Sequence, residues 1–143
     1  MKATTPPHAS METDPERSAL MKRVRQHDTE PEMTVRRILT SLGARYRVNV
    51  SWLPGSPDVA NRSRGKAIFV HGCFWHFHEG CRRGRVPKRN RHFWASKLHG
   101  NRDRDQRKIQ ELEDLGFDVM VVWACDLEDV GRTTNKLERF WAK

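Results

Sequence analysis

The segment that most constrains this chain is one that cannot build a core of its own. From His71 to Arg91 the apolar periodicity of helices and strands lapses for 21 residues. Irregular stretches of that length inside a compact domain are usually functional, or are held by something other than packing. This one carries Cys73, His78 and Cys81 in a Cys-x4-His-x2-Cys arrangement, and the third cysteine, Cys125, stands just past the apolar run Phe117–Trp123. Three thiolates and one imidazole make a complete tetrahedral set for Zn2+. The set uses every cysteine of the chain, and a bound zinc ion supplies folding energy that packing does not. With no coordination position left open, its role is structural. The competing reading is three buried thiols and a surface histidine, since free cysteines are among the most buried residue types.

Charge points to the partner. Lys and Arg total 27 against 18 Asp and Glu, a net charge of +9 with a pI near 10.1. A field of that sign favours polyanions, nucleic acid first, with an anionic membrane surface as the competitor. A mean hydropathy of -0.83 and the lack of a long apolar run exclude a membrane span. The N-terminal residues lack the apolar stretch of a secretory signal, so a cytoplasmic location is expected and disulfides are not. The 143 residues suit one domain, expected over 14–143, after a Thr/Pro/Ser-rich arm, 1–13, expected to be disordered.

Patterning predicts an α/β domain. Asp14-Pro15 opens a basic helix reaching Gln26, and Thr29-Glu30-Pro31-Glu32 reads as a capping box for a second. Val35, Ile38, Leu39 and Leu42 share one face of that helix, and Gly43 stops it. Strands are expected over Arg45–Val50, from Asp58, and over Lys66–Val70. A short helix follows from Phe93 to Leu98, then a longer one capped by Asn101 and closed by Gly116. Phe117–Trp123 reads as a central strand covered on both faces, and Thr134–Ala142 as a last helix packing Leu137, Phe140 and Trp141. Strand, crossover helix and buried strand imply a central mixed sheet flanked by helices.

Three groups of residues carry chemistry. Pro57-Asp58 ends a loop and begins a strand, placing a carboxylate where Mg2+ could bind with a backbone carbonyl and waters. A phosphodiester nuclease uses such an ion on the phosphate and the leaving oxygen. His71 and His76 follow the next strand, and histidine is the side chain best suited to moving protons near neutral pH. The proline-aspartate followed by a second strand resembles the restriction-endonuclease-like core, but the acidic residue, spacer and lysine that usually follow there are absent, since the strand ends Val70-His71-Gly72. Arg82, Arg83, Arg85, Lys88, Arg89 and Arg91 put six cations in ten residues, flanked by Phe74-Trp75 and Phe93-Trp94. Cations neutralise phosphates, while flat rings stack on or wedge between bases. Trp123 and Trp141, in periodic elements, are assigned to the core.

At these residues the chain resembles the bacterial very-short-patch repair (Vsr) endonucleases. The likeness runs from Arg17-Ser18 and Met21 through Asp28-Thr29, Glu32, Leu53-Pro54-Gly55 and Pro57-Asp58. It continues with Ile68-Phe69, His71-Gly72-Cys73-Phe74-Trp75-His76, Val86-Pro87, Phe93-Trp94, Asn101, Asp105, Leu115-Gly116 and Val122-Trp123 with Cys125. The resemblance implies a restriction-endonuclease-like fold and a Mg2+-dependent nick in duplex DNA, 5′ of the thymine of a T:G mismatch left by 5-methylcytosine deamination. It implies that Asp58 and the carbonyl of Val70 hold Mg2+, that His76 is the general base or its relay, and that His71 supports the phosphate. Glu32 and Asp105 would hold metal-bound waters, and Cys73, His78, Cys81 and Cys125 the structural zinc. Phe74, Trp75 and Trp94 would wedge in beside the mismatch, with Met21 pressing from the opposite groove.

Three departures stand out. Val70 replaces a threonine common in the family, which spares a backbone ligand but removes any hydroxyl role. Glu79-Gly80 makes the zinc loop one residue longer, and the C-terminal part is short. A monomer is expected, because one nick needs one site, with mismatch-repair proteins as candidate partners. Two alternatives stay open: a nicking or restriction-type nuclease acting on unmismatched or modified duplexes, and a zinc-stabilised DNA-binding module without catalysis.

Overall fold

Thr29 and Glu32 set where the first described helix begins. The Thr29 hydroxyl accepts from the Glu32 N–H at 3.4 Å, and the Glu32 carboxylate accepts from the Asp28 N–H at 2.9 Å. The reciprocal cap is thus the expected one, except that Glu32 reaches one residue beyond the cap. The helix, α1 (Glu30–Ser41), buries Val35, Ile38 and Leu39, and Gly43 ends it at φ +76°, a conformation that glycine adopts without strain. The computed structural model describes residues 28–143. The expected arm, the helix expected over 14–26 and, with it, Met21 lie outside the described residues.

Four strands follow, β1 (Arg47–Val48), β2 (Val59–Asn61), β3 (Lys66–His71) and β4 (Asp118–Trp123), in the spatial order β1-β2-β3-β4. The first three pair antiparallel, while β4 lies parallel to β3. A parallel neighbour requires a crossover, supplied here by α2 (Arg91–Asp114). The mixed sheet flanked by helices is the α/β architecture that the patterning predicts. β1 is shorter than the alternating stretch around it because Asn49, at φ +49°, breaks the extended run.

Every residue of β3 is buried. Ile68 and Val70 join α1 and α3 (Val130–Ala142) in one core cluster, with Val59, Val122, Leu137 and Trp141. Ala67 and Phe69 join the other, against Leu112 of α2. The strand expected at the centre was β4, but that place belongs to β3. Met120 and Val122 of β4 serve the first cluster and Val119 and Val121 the second, so both faces are covered and the run is apolar. Its outer edge is unpaired among the described residues, which leaves it half-buried.

The helix also differs from expectation. One continuous α2 replaces a short helix and a long one. Gly100 sits inside it without a left-handed φ, and a side chain there would meet nothing closer than Arg104 at 3.7 Å. Asn101 caps nothing; its amide donates to the Trp75 carbonyl at 2.9 Å. At the other end of the chain, α3 starts earlier than expected because the Asp129 carboxylate accepts from the Arg132 N–H at 3.1 Å. No helix among the described residues is long and apolar enough to cross a membrane.

Candidate functional site

The loop before β2 is shaped by Gly55. Its φ is +76°, and a Cβ there would stand 2.8 Å from the Cβ of Lys108 and 3.0 Å from the ring of Phe69, so only glycine lets the loop lie against α2 and β3. Asp58 emerges from this loop, and its carboxylate accepts from the Val70 N–H at 2.6 Å. That bond ties the start of β2 to the end of β3, where His71 follows. Asp58, Val70, His71, His76, Asp105 and Glu32 all line one cleft of about 740 Å³.

Within the cleft the imidazoles are stacked. The rings of His71 and His76 lie 3.9 Å apart and 5° from parallel. Burial, followed by the neighbouring His76, lowers the pKa of His71 to about 3, so this ring is neutral at neutral pH. His76 Nδ1 meets the Asp105 carboxylate at 2.6 Å. A carboxylate accepts and does not donate, so Nδ1 carries the proton in this pair. The nitrogens of His71 and His76 and an oxygen of Asp105 lie within 4.8 Å of one another, close enough to share one ion. Glu32 is buried at 5% exposure, between the Asp28 N–H and the Arg36 guanidinium at 3.6 Å.

A second cluster sits directly behind. Ligand atoms of Cys73, His78, Cys81 and Cys125 also lie within 4.8 Å of one another. The backbone winds tightly to bring them there, with His78 N–H donating to the Cys73 carbonyl at 2.9 Å and Cys81 N–H to that of His78 at 3.1 Å. Gly84 closes the winding, since a Cβ would stand 2.4 Å from the His78 carbonyl oxygen. Burial, then the Cys73 thiol beside it, pushes Cys125 up to about 12. A divalent cation reverses that balance by stabilising the thiolates. The stretch is irregular as expected between its ends, apart from one 3-10 turn at Arg82–Gly84, but His71 closes β3 and Arg91 opens α2.

Of the rings expected to meet DNA, Trp75 lines the cleft. Phe74 and Trp75 are half-buried, and each sits edge-on to the other and to Trp94, with centroids 5.4 to 6.1 Å apart. Trp94 itself is only 3% exposed, so it lies beneath the other two rather than beside them at the surface. All six cations of the loop are exposed. Arg83 is paired with Glu128, an acid 45 residues away that no local pattern could reveal.

The cleft also holds residues to which the sequence assigns no role in the site. Lys97, Asn101 and Lys108 line it together with Asp105. Spacings of four, four and three put these four residues on one helix face, so Asp105 locates Lys108 and Asn101 on the helix expected from Asn101, and Lys97 once α2 is continuous. Trp123 is half-buried, and its ring contacts an imidazole on each side: parallel to His78 at 4.0 Å and edge-on to His71 at 5.2 Å. It belongs to neither apolar cluster and bridges the two groups of histidines instead.

Comparison with known proteins gives this geometry a lineage. The family model for the DNA mismatch endonuclease Vsr matches residues 9–83. The type II nicking enzyme V.XorIIP of Xanthomonas oryzae pv. oryzae is 48% identical over 121 residues, covering 85% of this chain and 88% of its own. The type II nicking enzyme V.NmeAIP of Neisseria meningitidis is 39% identical, covering 89% and 90%. The DNA mismatch endonuclease Vsr of Escherichia coli is 38% identical, covering 84% and 76%.

Proposed function

Since the chain belongs to the DNA mismatch endonuclease Vsr family, and is thereby a DNA endonuclease of restriction-endonuclease-like fold, we propose that it nicks duplex DNA 5′ of the thymine of a T:G mismatch. The observation that carries this reading is the convergence of Asp58, two stacked imidazoles and Asp105 on one cleft, with Trp75, packed against Phe74, in its lining. The donor sets fit two different metals. Hard oxygens, from the Asp58 carboxylate and the Val70 carbonyl, suit Mg2+, while the three sulfurs and one nitrogen of the second cluster suit structural Zn2+. Bound Mg2+ supplies charge for the scissile phosphate and the leaving oxygen.

The side chains do the rest. The Val70 N–H holds the Asp58 carboxylate in place. Asp105 fixes His76 with Nδ1 protonated, which leaves Nε2 as the base that takes a proton from the attacking water. His71, buried and neutral, stacks behind His76 and supports the phosphate. Glu32 and Asp105, whose carboxylates line the same cleft, would hold waters bound to the metal. Phe74 and Trp75 wedge into the base stack, backed by Trp94, and Met21 presses from the other groove. Arg82, Arg83, Arg85, Lys88, Arg89 and Arg91 neutralise phosphates along the duplex. The enzyme acts as a monomer in the bacterial cytoplasm, and mismatch-repair proteins are its candidate partners.

The test is a nicking assay that compares a T:G mismatched duplex with its T:A counterpart, with and without Mg2+. Preference for T:G by at least tenfold is expected. Equal cleavage of both duplexes would overturn it in favour of a second reading, a nicking enzyme for paired or modified DNA. That reading draws its support from the relatives named type II nicking enzymes. In the same assay His76→Ala should slow the single-turnover step by about 10²–10⁴-fold, the usual worth of a positioned general base. An unchanged rate would reduce His76 to scaffolding.

A further inference from the structure

The end of β3 and the end of β4 are in register, with Val70 opposite Val122 and His71 opposite Trp123. Each strand then delivers a thiol two residues later, Cys73 and Cys125. Trp123 therefore stands at the junction of the cleft and the Cys-His cluster. Its backbone is pinned there, because its N–H donates to the Asp126 carboxylate at 2.9 Å. The face of its indole lies against His78 at 4.0 Å with the planes 4° apart, and it meets the ring of His71 edge-on at 5.2 Å and 72°. His71 in turn stacks on His76, and His76 is bonded to Asp105. One file of side chains thus runs from a cysteine-cluster histidine to the carboxylate on α2.

We infer that Trp123 is a positioning residue, which sets the plane of His71, and through it His76, by reference to the Cys-His cluster. A residue serving only to fill a core could be any apolar group of similar volume. The contacts of Trp123 depend on its shape instead: a flat face for His78 and an edge for His71. Nothing else among the described residues touches both imidazoles as an aromatic ring. The inference rests on the nuclease reading for its kinetic consequence, but the placement of the rings can be tested without it.

The experiment compares Trp123→Leu and Trp123→Phe with the wild type in the full chain, each assayed for metal content, melting temperature, affinity for a mismatched duplex and single-turnover nicking. Trp123→Leu should lower the nicking rate by about 10–100-fold, the scale of a displacement near 1 Å at a reacting centre. Metal content and DNA affinity should stay within about twofold, and Trp123→Phe, which keeps a flat ring, should recover most of the rate. A Leu variant that nicks at the wild-type rate, or a Phe variant as slow as Leu, overturns the inference. If the Leu variant does not fold, imidazole proton shifts in the wild type and the Phe variant decide instead. The indole face should shift the ring protons of His78 upfield and hold His71 in one orientation; averaged, unshifted His78 and His71 signals in the wild type overturn it. A wild type that binds DNA but nicks no duplex defeats the nuclease reading alone and leaves the shift measurement standing.

Discussion

Asp58→Ala is expected to abolish nicking while the protein still folds and still binds duplex DNA. The carboxylate holds the proposed Mg2+ rather than any base edge, so affinity drawn from cations and aromatic rings should survive its loss. Lewis-acid stabilisation of a phosphoryl oxygen is worth several kcal/mol, and each 1.36 kcal/mol is a tenfold change, so the rate should fall by roughly 10³-fold or more. Alanine also removes the acceptor of the Val70 N–H, a bond of 2.6 Å. Asp58→Asn separates the two effects. It keeps an oxygen for Val70 but lacks the charge that grips a hard cation, so it should melt near the wild type and be almost as inactive as alanine. Single-turnover nicking beside anisotropy-based DNA binding makes the measurement, and wild-type nicking by either variant would refute the assignment.

Breaking the cysteine cluster should have the largest effect on stability. Cys81 is the better residue to change, because Cys73 is buried and its loss would also open a gap in the packing. Structural zinc contributes about 10–16 kcal/mol in peptides that have no other core. A domain with two apolar clusters of its own depends on it less. If only about a fifth of that stabilisation is at stake here, the cost is roughly 2–3 kcal/mol, and Cys81→Ala should melt about 10 °C lower. Elemental analysis should find one zinc per wild-type chain and none in the variant, and a strong chelator should bring the wild type down to the variant's melting temperature. A wild type purified without chelator that contains no zinc, and is indifferent to Cys81→Ala, would leave only clustered thiols.

Much of this could be read from the sequence because it is local. The Thr29–Glu32 cap, the stop at Gly43 and the coreless loop are each written within a few residues. Features that depend on distant neighbours were not legible. A run that is apolar but for Asp118 shows that both faces of a strand are covered, as they are for β4, but says nothing of its lateral edges, and so β3 took the centre. Gly100 and Asn101 look like the break between two helices, yet the amide of Asn101 is engaged by the Trp75 carbonyl and the helix runs through. Trp94 and Trp123 lie at depths that their patterns do not show. Trp94, expected to meet DNA, is buried beneath Phe74 and Trp75, while Trp123, expected in the core, is half-buried against two imidazoles. Ring type gives hydrophobicity but not depth.

The matched exits of β3 and β4 limit how the gene can vary in length. One extra residue between His71 and Cys73, or between Trp123 and Cys125, would slide a sulfur by about 3.3 Å, the rise of one extended residue. Metal bonds tolerate departures of only about 0.2 Å. Insertions and deletions should therefore be purged at these two short exits, yet accepted at the exposed Arg62–Arg64 turn at the far end of the sheet.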